Sequence, residues 1–526
     1  MRNIGVSHPH ILIRTDASVE IGTGHLVRCL ALADALAAAG AAVRFLCRTL
    51  PQTEEAAIRE RGHELRRLPP TASFNGAPAA GDPPQARWLG CTYEQDADAT
   101  LAAIADRPRW DWLIVDHYSL DARWEQRLRA AVGALMVIDD LADRPHVCQV
   151  LLDQNRCEPG SGPYAALVPS DCRVLLGARF ALLRPEFRAH RQAAVVPRTE
   201  LRRLLVFFGG VDQLNLSSLA LAALQRLARR DLRADVVVGA LNPHAAEIAA
   251  CCRSMSNVEF HGQTNDMAGL MARADLAVGA AGSASWERCC VGLPAIVGWV
   301  AANQRAVAST LARHRAAINL GDLGELTAAE LAALLEQMSQ RLGLLANMSA
   351  RAAGLVDGGG IARVCVVLLK DEAVSIRPAS AADAELAWTW RNAEVTRSQS
   401  FDPAPIPLAG HLLWWGERLA SSAHTLILGC VAGMPVGVVR FDMSAPVAQI
   451  SIYLDPDMTG FGIGSALLRA ALTWLRQSHP EIRRVEAFVK QDNLRSRRAF
   501  LAAGFHWQST CLVWTCADSE QEGIRQ

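Results

Sequence analysis

The alternation of strand and helix that decides the fold begins at residues 11–47, ILIRTDASVEIGTGHLVRCLALADALAAAGAAVRFLC. The apolar run Ile11–Arg14 predicts a strand, the Ala/Leu-rich segment Gly24–Ala39 predicts a helix, and Val43–Cys47 predicts the next strand. Three later apolar runs, each followed directly by Asp, are further predicted strands: Trp112–Val115, Leu135–Ile138 and Val150–Leu152. Strands that alternate with helices form parallel sheets, so we expect one α/β lobe over residues 10–195.

A second series of the same kind follows a polar, Arg-rich stretch, Arg184–Arg202, which we interpret as a hinge. Its predicted strands are Leu204–Phe208, Val236–Val238, Val258–His261, Leu276–Val278 and Ala295–Val300, and a helix near Gly360–Leu369 closes it. We therefore expect a second α/β lobe over residues 200–370, with a cleft between the lobes. After a linker at Lys370–Ser375 the rhythm changes, which predicts an α+β domain over residues 374–520.

Composition excludes several classes of protein. Of 526 residues, 51% are hydrophobic and 20% charged, which is typical of folded domains and not of global disorder. Lys and Arg total 53, as do Asp and Glu, so no basic excess favours nucleic-acid or membrane-surface binding. The 14 cysteines are too few for a disulfide scaffold in a chain of this length and are expected as free thiols. Without a signal-peptide pattern or an uninterrupted apolar stretch of about 18 residues, we predict a cytoplasmic protein with no membrane span.

The first polar motif lies at the turn between the first strand and the first helix. Arg14 and Asp16 close the strand, and Gly22, Gly24 and His25 open the helix. Glycines here let backbone amides approach a ligand, but the spacing is neither a Walker motif nor G-x-G-x-x-G. His25 falls at the carboxyl edge of the sheet, where open α/β folds bind ligands. We predict a catalytic acid or base, the alternative being that His25 only caps the helix.

Polar residues recur at the ends of other strands of this lobe. Asp116, His117 and Tyr118 follow one strand, and Asp139-Asp140 and Asp153-Gln154-Asn155 follow two more. Their recurrence at one edge indicates a shared polar crevice.

No convincing metal site is visible in the sequence. Two Asp-x-Asp pairs occur, Asp96 with Asp98 and Asp455 with Asp457. We interpret both as solvated surface or turn, because hard cations need several converging oxygen ligands.

The second lobe contains a separate set of small and polar residues at strand ends. Paired glycines follow its first strand, and a run of Gly, Ala and Ser precedes a helix that carries a Glu. Such a run can cradle a diphosphate with amides and hydroxyls, and a carboxylate there can accept both ribose hydroxyls. The alternative is a tightly packed loop with a charged surface residue. The residues concerned are Gly209, Gly210, Ser283, Ser285, Glu287, Asn303 and Gln304.

Together these motifs resemble the UDP-sugar hydrolase of pseudaminic acid biosynthesis. The resemblance rests on Arg14–His25, Asp116–Tyr118, Gly209–Asp212 and Gly279–Gln304, and it covers roughly residues 10–370. It implies the two-lobed GT-B fold, with two Rossmann-like domains, of the lipid II N-acetylglucosaminyltransferase. It also implies removal of UDP from UDP-2,4-diacetamido-2,4,6-trideoxy-β-L-altropyranose. In that reaction water attacks the anomeric carbon, with C–O cleavage, inversion and no essential metal.

The resemblance assigns roles by position. His25 matches the catalytic His of the family's G-x-G-H motif and would activate the water. Tyr118, Asp116 and His117 would line the sugar pocket. The UDP diphosphate and ribose would be bound by Ser283, Ser285 and Glu287. The predicted substrate-binding set is completed by Arg14, Asp16, Gly22, Gly24, Gly209, Gly210, Asn303 and Gln304.

The last domain contains a glycine loop between a strand and a helix. The strand is Gln449–Leu454, the helix is Ala466–Gln477, and Gly460, Gly462 and Gly464 alternate before it. Alternating glycines expose consecutive amides to a pyrophosphate at the helix N-terminus. A strand at Val485–Val489, a helix opened by Asn493 and Ser496, and Gly504-Phe505 follow in order.

This order resembles the GNAT acetyltransferases, in which acetyl-CoA lies between two splayed central strands. The resemblance covers about residues 374–510 and implies acetyl-CoA as cosubstrate. It would be held by Leu454, Gly460, Gly462, Gly464, Ser465 and Asn493. Trp390-Arg391-Asn392, His411 and Trp414-Trp415 resemble the acetyltransferase of the same pathway, although ordinary helix packing would also explain His411 and the Trp pair. That enzyme N-acetylates the 4-amino group of UDP-4-amino-4,6-dideoxy-N-acetyl-β-L-altrosamine.

The glycine loop and the helix after it depart from the GNAT pattern at two places. Met458-Thr459 stands where many GNAT enzymes carry Arg or Gln, which removes a donor to the pyrophosphate. Phe500 stands where many carry a Tyr as general acid. Tyr453, the only tyrosine of this domain, is then the candidate acid.

We therefore predict a bifunctional sugar-nucleotide enzyme in which the last domain makes the substrate of the first two. Its expected partners are UDP-linked amino-sugar substrates and other enzymes of the pathway, with no nucleic acid and no metal. One alternative is a GT-B glycosyltransferase that uses a UDP-sugar, fused to a protein-type N-acetyltransferase. Another is a non-catalytic sugar-nucleotide sensor, against which the presence of His25 argues.

Overall fold

A computed structural model describes residues 8–70, 81–156, 162–193, 198, 200–227, 229, 231–341, 343–508 and 511–515. The chain divides into two compact units, residues 1–34 with 41–361 and residues 35–40 with 362–526. Residues 195 and 520, where two predicted domains end, lie outside the described residues, as do 194–197 and 199 of the predicted hinge. The domain bounds therefore stay a prediction.

The first sheet is fully parallel, as the alternating pattern predicts. Its strands are β1 (His10–Thr15), β2 (Ala42–Cys47), β3 (Glu64–Arg67), β4 (Trp110–Asp116), β5 (Val132–Ile138), β6 (Val150–Asp153) and β7 (Arg173–Leu176). They lie in the order β3-β2-β1-β4-β5-β6-β7, which is doubly wound with its reversal between β1 and β4. The helices are α1 (Gly24–Ala38), α2 (Gln52–Glu60), α3 (Tyr93–Ile104), α4 (Ala122–Leu128) and α5 (Pro185–Ala193).

The second sheet repeats this topology in the order β10-β9-β8-β11-β12-β13. Its strands are β8 (Arg203–Phe207), β9 (Arg233–Val238), β10 (Val258–Gly262), β11 (Leu276–Ala280), β12 (Ala295–Trp299) and β13 (Ala317–Asp322). The helices are α6 (Leu216–Leu227), α7 (Ala245–Arg253), α8 (Met267–Arg273), α9 (Ala284–Cys290), α10 (Gln304–Arg313), α11 (Ala328–Gln340) and α12 (Leu344–Ala353). The next helix, α13 (Gly360–Leu369), belongs to the second compact unit from residue 362 onward. Two apolar clusters, one on each face, bury the Val- and Leu-rich strands, as expected for a parallel sheet.

The third sheet is mixed and belongs to the second unit. Its strands are β14 (Val374–Pro378), β15 (His424–Val431), β16 (Met434–Ser444), β17 (Val447–Leu454), β18 (Arg484–Ala487), β19 (His506–Gln508) and β20 (Cys511–Thr515). The helices are α14 (Ala384–Asn392), α15 (Glu394–Arg397), α16 (Leu408–Ala420), α17 (Ile463–Ser478) and α18 (Leu494–Ala502). Only β17 and β18 pair in parallel, over three residues, and the rest of β17 extends beyond that pairing. The predicted fold class, two α/β lobes followed by an α+β domain, is confirmed.

One stretch of the described chain, Leu344–Leu369, is long and apolar enough to cross a membrane. It contains α12 and α13, and its most apolar 18-residue window has a mean hydropathy of 1.7. Within the protein 72% of that window is buried, and a core helix passes the same test.

Candidate active site

A cavity of about 720 Å³ opens at the carboxyl edges of the two parallel sheets. It is lined from the first lobe by the loop and helix after β1 and from the second lobe by the residues after β8 and β11. In each sheet the strand order reverses at these strands, and such switch points are where open α/β sheets bind ligands. The volume lies within the usual range for small-molecule sites, about 300–1,000 Å³.

His25 lies in the cavity wall, and one of its ring nitrogens is bonded to a carboxylate. Its Nδ1 is 2.5 Å from Asp116 Oδ1, and Asp116 is fully buried at the end of β4. Burial opposes ionisation of Asp116, but the adjacent Arg28 and His25 outweigh it and hold the Asp116 pKa below its usual range. An ionised Asp116 accepts the Nδ1 proton, and this tautomer leaves a lone pair on Nε2. Of the two predictions for His25, this geometry favours the acid–base role.

Tyr118 packs edge-on against His25, with ring centroids 4.5 Å apart and an interplanar angle of 82°. Its hydroxyl donates to Asp140 Oδ1 and accepts from Asn303 Nδ2 of the second lobe at 3.3 Å. Burial and the neighbouring Asp140 raise the pKa of Tyr118, so it stays a neutral phenol. Tyr118 lines the cavity, as predicted.

Arg14, Asp16 and His117 lie behind the cavity wall instead of lining it. Arg14 NH2 donates to Asp16 at 3.0 Å and to Asp96 at 3.0 Å, and all three side chains are fully buried. His117 Nε2 lies 3.1 Å from Asp16 Oδ2. A charged group that is paired on both sides inside the protein has no face left for a ligand. The structure therefore gives these residues a supporting position, not the substrate contact that the sequence predicts.

The interpretation of Asp96 as solvated surface is wrong. The carboxylate takes hydrogen bonds from Arg14, Arg48 and the indole of Trp124. The neighbouring Asp98 is exposed and pairs with Arg127, as a surface residue would. Helical spacing puts adjacent residues on different faces, which the Asp-x-Asp pattern alone does not show.

The second lobe presents its predicted glycines and polar side chains to the same cavity. Gly209 has φ +101°, and a Cβ on Gly210 would come within 2.8 Å of Thr23 Oγ1 in the first lobe. Ser283 stands at the N-cap of α9 without bonding the helix, so its hydroxyl is free for another partner. Burial raises the pKa of Glu287. The predicted residues that line the cavity are Gly22, Gly24, His25, Tyr118, Gly209, Gly210, Ser283, Glu287, Asn303 and Gln304.

Ser285 is the exception among the residues predicted for this side. It is buried, and its hydroxyl accepts from Arg288 NH2 at 2.9 Å. Asp116 does not line the cavity either, and it bonds to His25 and Arg28, which do.

Among the polar residues that line the cavity without having been predicted as site residues are Arg28, Asp140 and Asn155. Arg28 donates to both oxygens of Asp116, at 2.7 and 2.6 Å. It follows His25 by three positions on a helix, and that spacing places both on one face, a signal available in the sequence. The two others were visible only as members of polar strand ends.

Within the described ranges one group of side chains, Asp235, Glu259 and His261, offers three metal-ligand atoms within 4.8 Å of one another. It lies on β9 and β10 and does not line the cavity. Arg203 Nε is 3.3 Å from Asp235 Oδ2, and a guanidinium at that distance competes with a cation.

The glycine loop of the second unit has the predicted shape. Gly460 and Gly462 have φ +88° and +84°, no atom lies within 4 Å of a Cβ on either, and α17 begins directly after them. Leu454 is the last residue of β17, and Ser465 Oγ donates to Gly462 O at 2.9 Å. Asn493 accepts from Ser496 N and caps α18. The loop therefore leaves its amides open at the N-terminus of a 16-residue helix.

Tyr453 lies on the face of the third sheet covered by α14 and α16. Burial raises the pKa of Tyr453, and the charges of Arg391 and Arg440 oppose that rise only in part. His411 and Trp415 are buried, and Trp415 shares an apolar cluster with Trp390, which is compatible with the alternative of ordinary helix packing. Phe500 packs edge-on against Phe505, with centroids 4.9 Å apart.

Two regions of the chain match known protein families. Residues 203–358 match the glycosyltransferase family 28 C-terminal domain, and residues 386–505 match the acetyltransferase (GNAT) family. The Bacillus subtilis spore coat polysaccharide biosynthesis protein SpsG is 34% identical over 205 residues, 38% of this chain and 59% of that protein. The Campylobacter jejuni UDP-2,4-diacetamido-2,4,6-trideoxy-β-L-altropyranose hydrolase is 25% identical over 261 residues, 50% of this chain and 81% of that protein. The chain thus spans less than two thirds of the first of these relatives.

Two solved structures are also similar to parts of the chain. MurG of Acinetobacter baumannii aligns with a TM-score of 0.48 and 17% identity, over 69% of this chain and 99% of that one. The aminoglycoside acetyltransferase AAC(6')-Ib, solved with paromomycin and acetyl-CoA, aligns with a TM-score of 0.26 and 22% identity. The alignment covers 27% of this chain and 93% of that one. From the sequence matches, the chain is a fusion of a region homologous to the pseudaminic acid pathway UDP-sugar hydrolase, with its glycosyltransferase family 28 C-terminal domain, and a domain of the GNAT acetyltransferase family.

Proposed function

We propose that the two parallel-sheet lobes hydrolyse UDP-2,4-diacetamido-2,4,6-trideoxy-β-L-altropyranose to UDP and the free sugar. The observation that carries the proposal is the His25–Asp116 pair in the same cavity as Ser283 and Glu287. It joins a group able to activate water to a helix start able to hold a nucleotide. The homology to a hydrolase of that sugar nucleotide supports the choice of substrate.

The pair of residues suits inverting water attack. His25 Nε2 takes a proton from water as the water oxygen bonds to the anomeric carbon. The bond between that carbon and the phosphate oxygen breaks, and its electron pair leaves with UDP. Asp116 holds the ring in the required tautomer and stabilises the imidazolium that forms. General base catalysis of this kind contributes about 10²–10⁴-fold.

The leaving group would be bound by the second lobe. The Ser283 hydroxyl, not used for capping, would donate to the diphosphate, and Glu287 would accept from the ribose hydroxyls. Gly209 and Gly210 allow the backbone to approach the nucleotide closely. Stabilising the charge that develops on UDP lowers the barrier to C–O cleavage.

The test measures UDP release from the UDP-linked 2,4-diacetamido sugar. Phosphorus NMR monitors the release, with EDTA present and no metal added. We expect release by the wild type and at least a ~100-fold loss in His25→Ala, since a general base is removed. UDP binding by calorimetry should be retained in that variant. His314→Ala removes an exposed histidine outside the cavity and should release UDP like the wild type. No release by the wild type would contradict the proposal and turn the search to sugar acceptors.

We further propose that the second unit acetylates the 4-amino group of UDP-4-amino-4,6-dideoxy-N-acetyl-β-L-altrosamine in the cytoplasm. The GNAT match and the open glycine loop support acetyl-CoA as the cosubstrate. The amine nitrogen attacks the thioester carbonyl carbon, the C–S bond breaks with its electron pair on sulfur, and the CoA sulfur takes a proton from Tyr453. The proton that the nitrogen loses on becoming an amide goes to solvent, and the Tyr453 phenolate takes a proton back from solvent. The product is the substrate of the hydrolase, which gives the fusion a chemical reason.

This reaction is tested by CoA thiol release with the 4-amino sugar nucleotide and acetyl-CoA, in the His25→Ala background so that the product accumulates. Tyr453→Phe should lower kcat by about 10²-fold or more with little change in the KM for acetyl-CoA, because it removes a proton donor and keeps the ring. An unchanged kcat would exclude Tyr453 as the acid, and no thiol release would exclude this acceptor.

A further inference from the structure

A row of three hydrogen bonds and one ring contact connects α9 of the second lobe with His25 of the first. It begins at Trp286, whose indole Nε1 donates to Asn155 Oδ1 at 2.8 Å. Trp286 is fully buried in the core of its lobe and is one residue from Glu287. Its position therefore follows that of α9 rigidly.

The row continues inside the first lobe. Asn155 Nδ2 donates to Asp140 Oδ2 at 2.6 Å, and Asp140 Oδ1 accepts from the hydroxyl of Tyr118. The Tyr118 ring then packs edge-on against His25. Every link from α9 to the face of the imidazole is thus a direct contact.

The Asn155 amide meets the hydrogen-bonding needs of both its neighbours. The indole of Trp286 can only donate and the carboxylate of Asp140 can only accept, so the residue between them must accept on one side and donate on the other. The main chain at Asn155 is fixed as well, because its N–H donates to Asp153 Oδ1 at 2.8 Å. A carboxylate at this position would face Asp140 as a like charge, and an alanine would leave the Trp286 indole N–H unpaired and remove one of the hydrogen bonds to Asp140.

We propose that Asn155 is a positioning residue that couples the nucleotide-binding helix α9 to the Tyr118–His25 face, so that the nucleotide seated on one lobe fixes the base on the other. This inference rests on the proposed hydrolase function. Asn155 does not touch the reacting atoms in this scheme. It sets the position of groups that do.

The inference makes a specific kinetic prediction for Asn155→Ala, Asn155→Asp and Trp286→Phe. Each should lower kcat for UDP release by about 10–100-fold, since a small displacement of a catalytic group has effects of that size. The KM and the Kd for UDP should stay within about threefold, because the groups proposed to hold the nucleotide are untouched. Asn155→Ala combined with Trp286→Phe should be no slower than Asn155→Ala alone, because both remove the same link.

Trp299→Phe is the matched control. Trp299 lies in the same lobe at the end of β12, and its indole nitrogen has no hydrogen-bond partner among the residues that the structure describes. The substitution removes the same group without breaking a hydrogen bond, so kcat should not change. Thermal melts of all variants show whether a loss of activity is a loss of folding.

Hydrogen exchange provides a readout that does not need turnover. In the wild type, added UDP should slow exchange in peptides covering 150–156, although the second lobe would hold the nucleotide. In Trp286→Phe this distant protection should disappear, while protection around 280–290 remains.

The outcomes separate the two proposals. A wild type that does not release UDP contradicts the proposed function, and the exchange experiment then decides on the coupling alone. A wild type that releases UDP, with Asn155→Ala unchanged in kcat or altered only in KM, overturns the coupling and leaves the hydrolase in place. Additive losses in the double variant would also overturn it.

Discussion

Asp153 occupies a position that should destabilise the first lobe at neutral pH. Its carboxylate is almost fully buried at the end of β6, near Asp139 and Asp140. The hydroxyl of Tyr164 lies 3.0 Å from Asp139 Oδ2 and 3.1 Å from Asp153 Oδ2, and its one proton can serve only one of them. Burial and the charge of Asp140 raise the pKa of Asp153 to about 6.

The cost of this arrangement follows from linkage. A pKa about two units above the ordinary value of 3.8 corresponds to about 3 kcal/mol, at 1.36 kcal/mol per unit. Below pH 4 the Asp153 carboxyl is protonated in both the folded and the unfolded state, so it costs no stability. Between pH 4 and pH 6 the unfolded state releases its proton while the folded state keeps it, so stability falls. Above pH 6 the loss is complete and constant.

Asp153→Asn should remove this cost without breaking the local structure. The amide oxygen can still accept from the backbone N–H of Asn155 and of Arg156, as Asp153 Oδ1 does. The amide N–H₂ can donate to the oxygen of Tyr164, which frees the Tyr164 proton for Asp139. The variant should therefore equal the wild type in stability near pH 4 and exceed it by about 3 kcal/mol at pH 7.5.

The measurement is urea unfolding of wild type and variant at several pH values between 4 and 8. Unfolding is monitored by a signal from the first unit. The difference between the two proteins isolates Asp153, since the other buried carboxylates are common to both. Asp171→Asn, an exposed change in the same lobe, should show no such trend. A stability difference that is independent of pH, or that shrinks as pH rises, would refute the reasoning.

Three further substitutions test other parts of the structure. Asp116→Asn should lower kcat for UDP release by about 10²–10⁴-fold, because His25 loses the acceptor that fixes its tautomer, and a kcat within tenfold of wild type would argue against the pair. Gly210→Ala brings a Cβ to 2.8 Å from Thr23 Oγ1 and should weaken UDP binding measurably by calorimetry, whereas unchanged affinity would mean that Thr23 rotates away. Gly462→Ala forces a side chain into a left-handed conformation at a cost of about 1–2 kcal/mol, which melts of the second unit and the KM for acetyl-CoA should both report.

The general position of the site could be predicted from sequence, because it depends on rules that act locally. Polar residues directly after apolar strands had to fall at one edge of a parallel sheet, and His25 at the strand-to-helix turn had to lie there too. The register between β1 and β4, which pairs Thr15 with Asp116, then brings the two motifs together. Sequence placed His25 and Asp116 at one edge but did not show that they bond each other.

What could not be predicted depends on contacts between distant segments. Asp96 is 82 residues from Arg14, and nothing in either segment indicates that α3 delivers a carboxylate to the end of β1. The bond from Trp286 to Asn155 joins residues 131 positions apart in different lobes. An amide at a strand end is a common turn residue, so its bridging role appears only once both of its partners are in place.

The buried ion pairs beneath the site fix the position of the main chain more than they stabilise the fold. Burial opposes ionisation of Asp16, but Arg14 outweighs it and keeps the Asp16 pKa low, so both charges are held inside the protein. Such pairs contribute little net stability, because desolvation offsets their attraction. What Asp16 does is accept from the backbone N–H of Arg48 and of Thr49, which ties the end of β1 to the end of β2. The turn that carries His25 starts from this tied end, so the network fixes where the base stands even if it adds nothing to the free energy of unfolding.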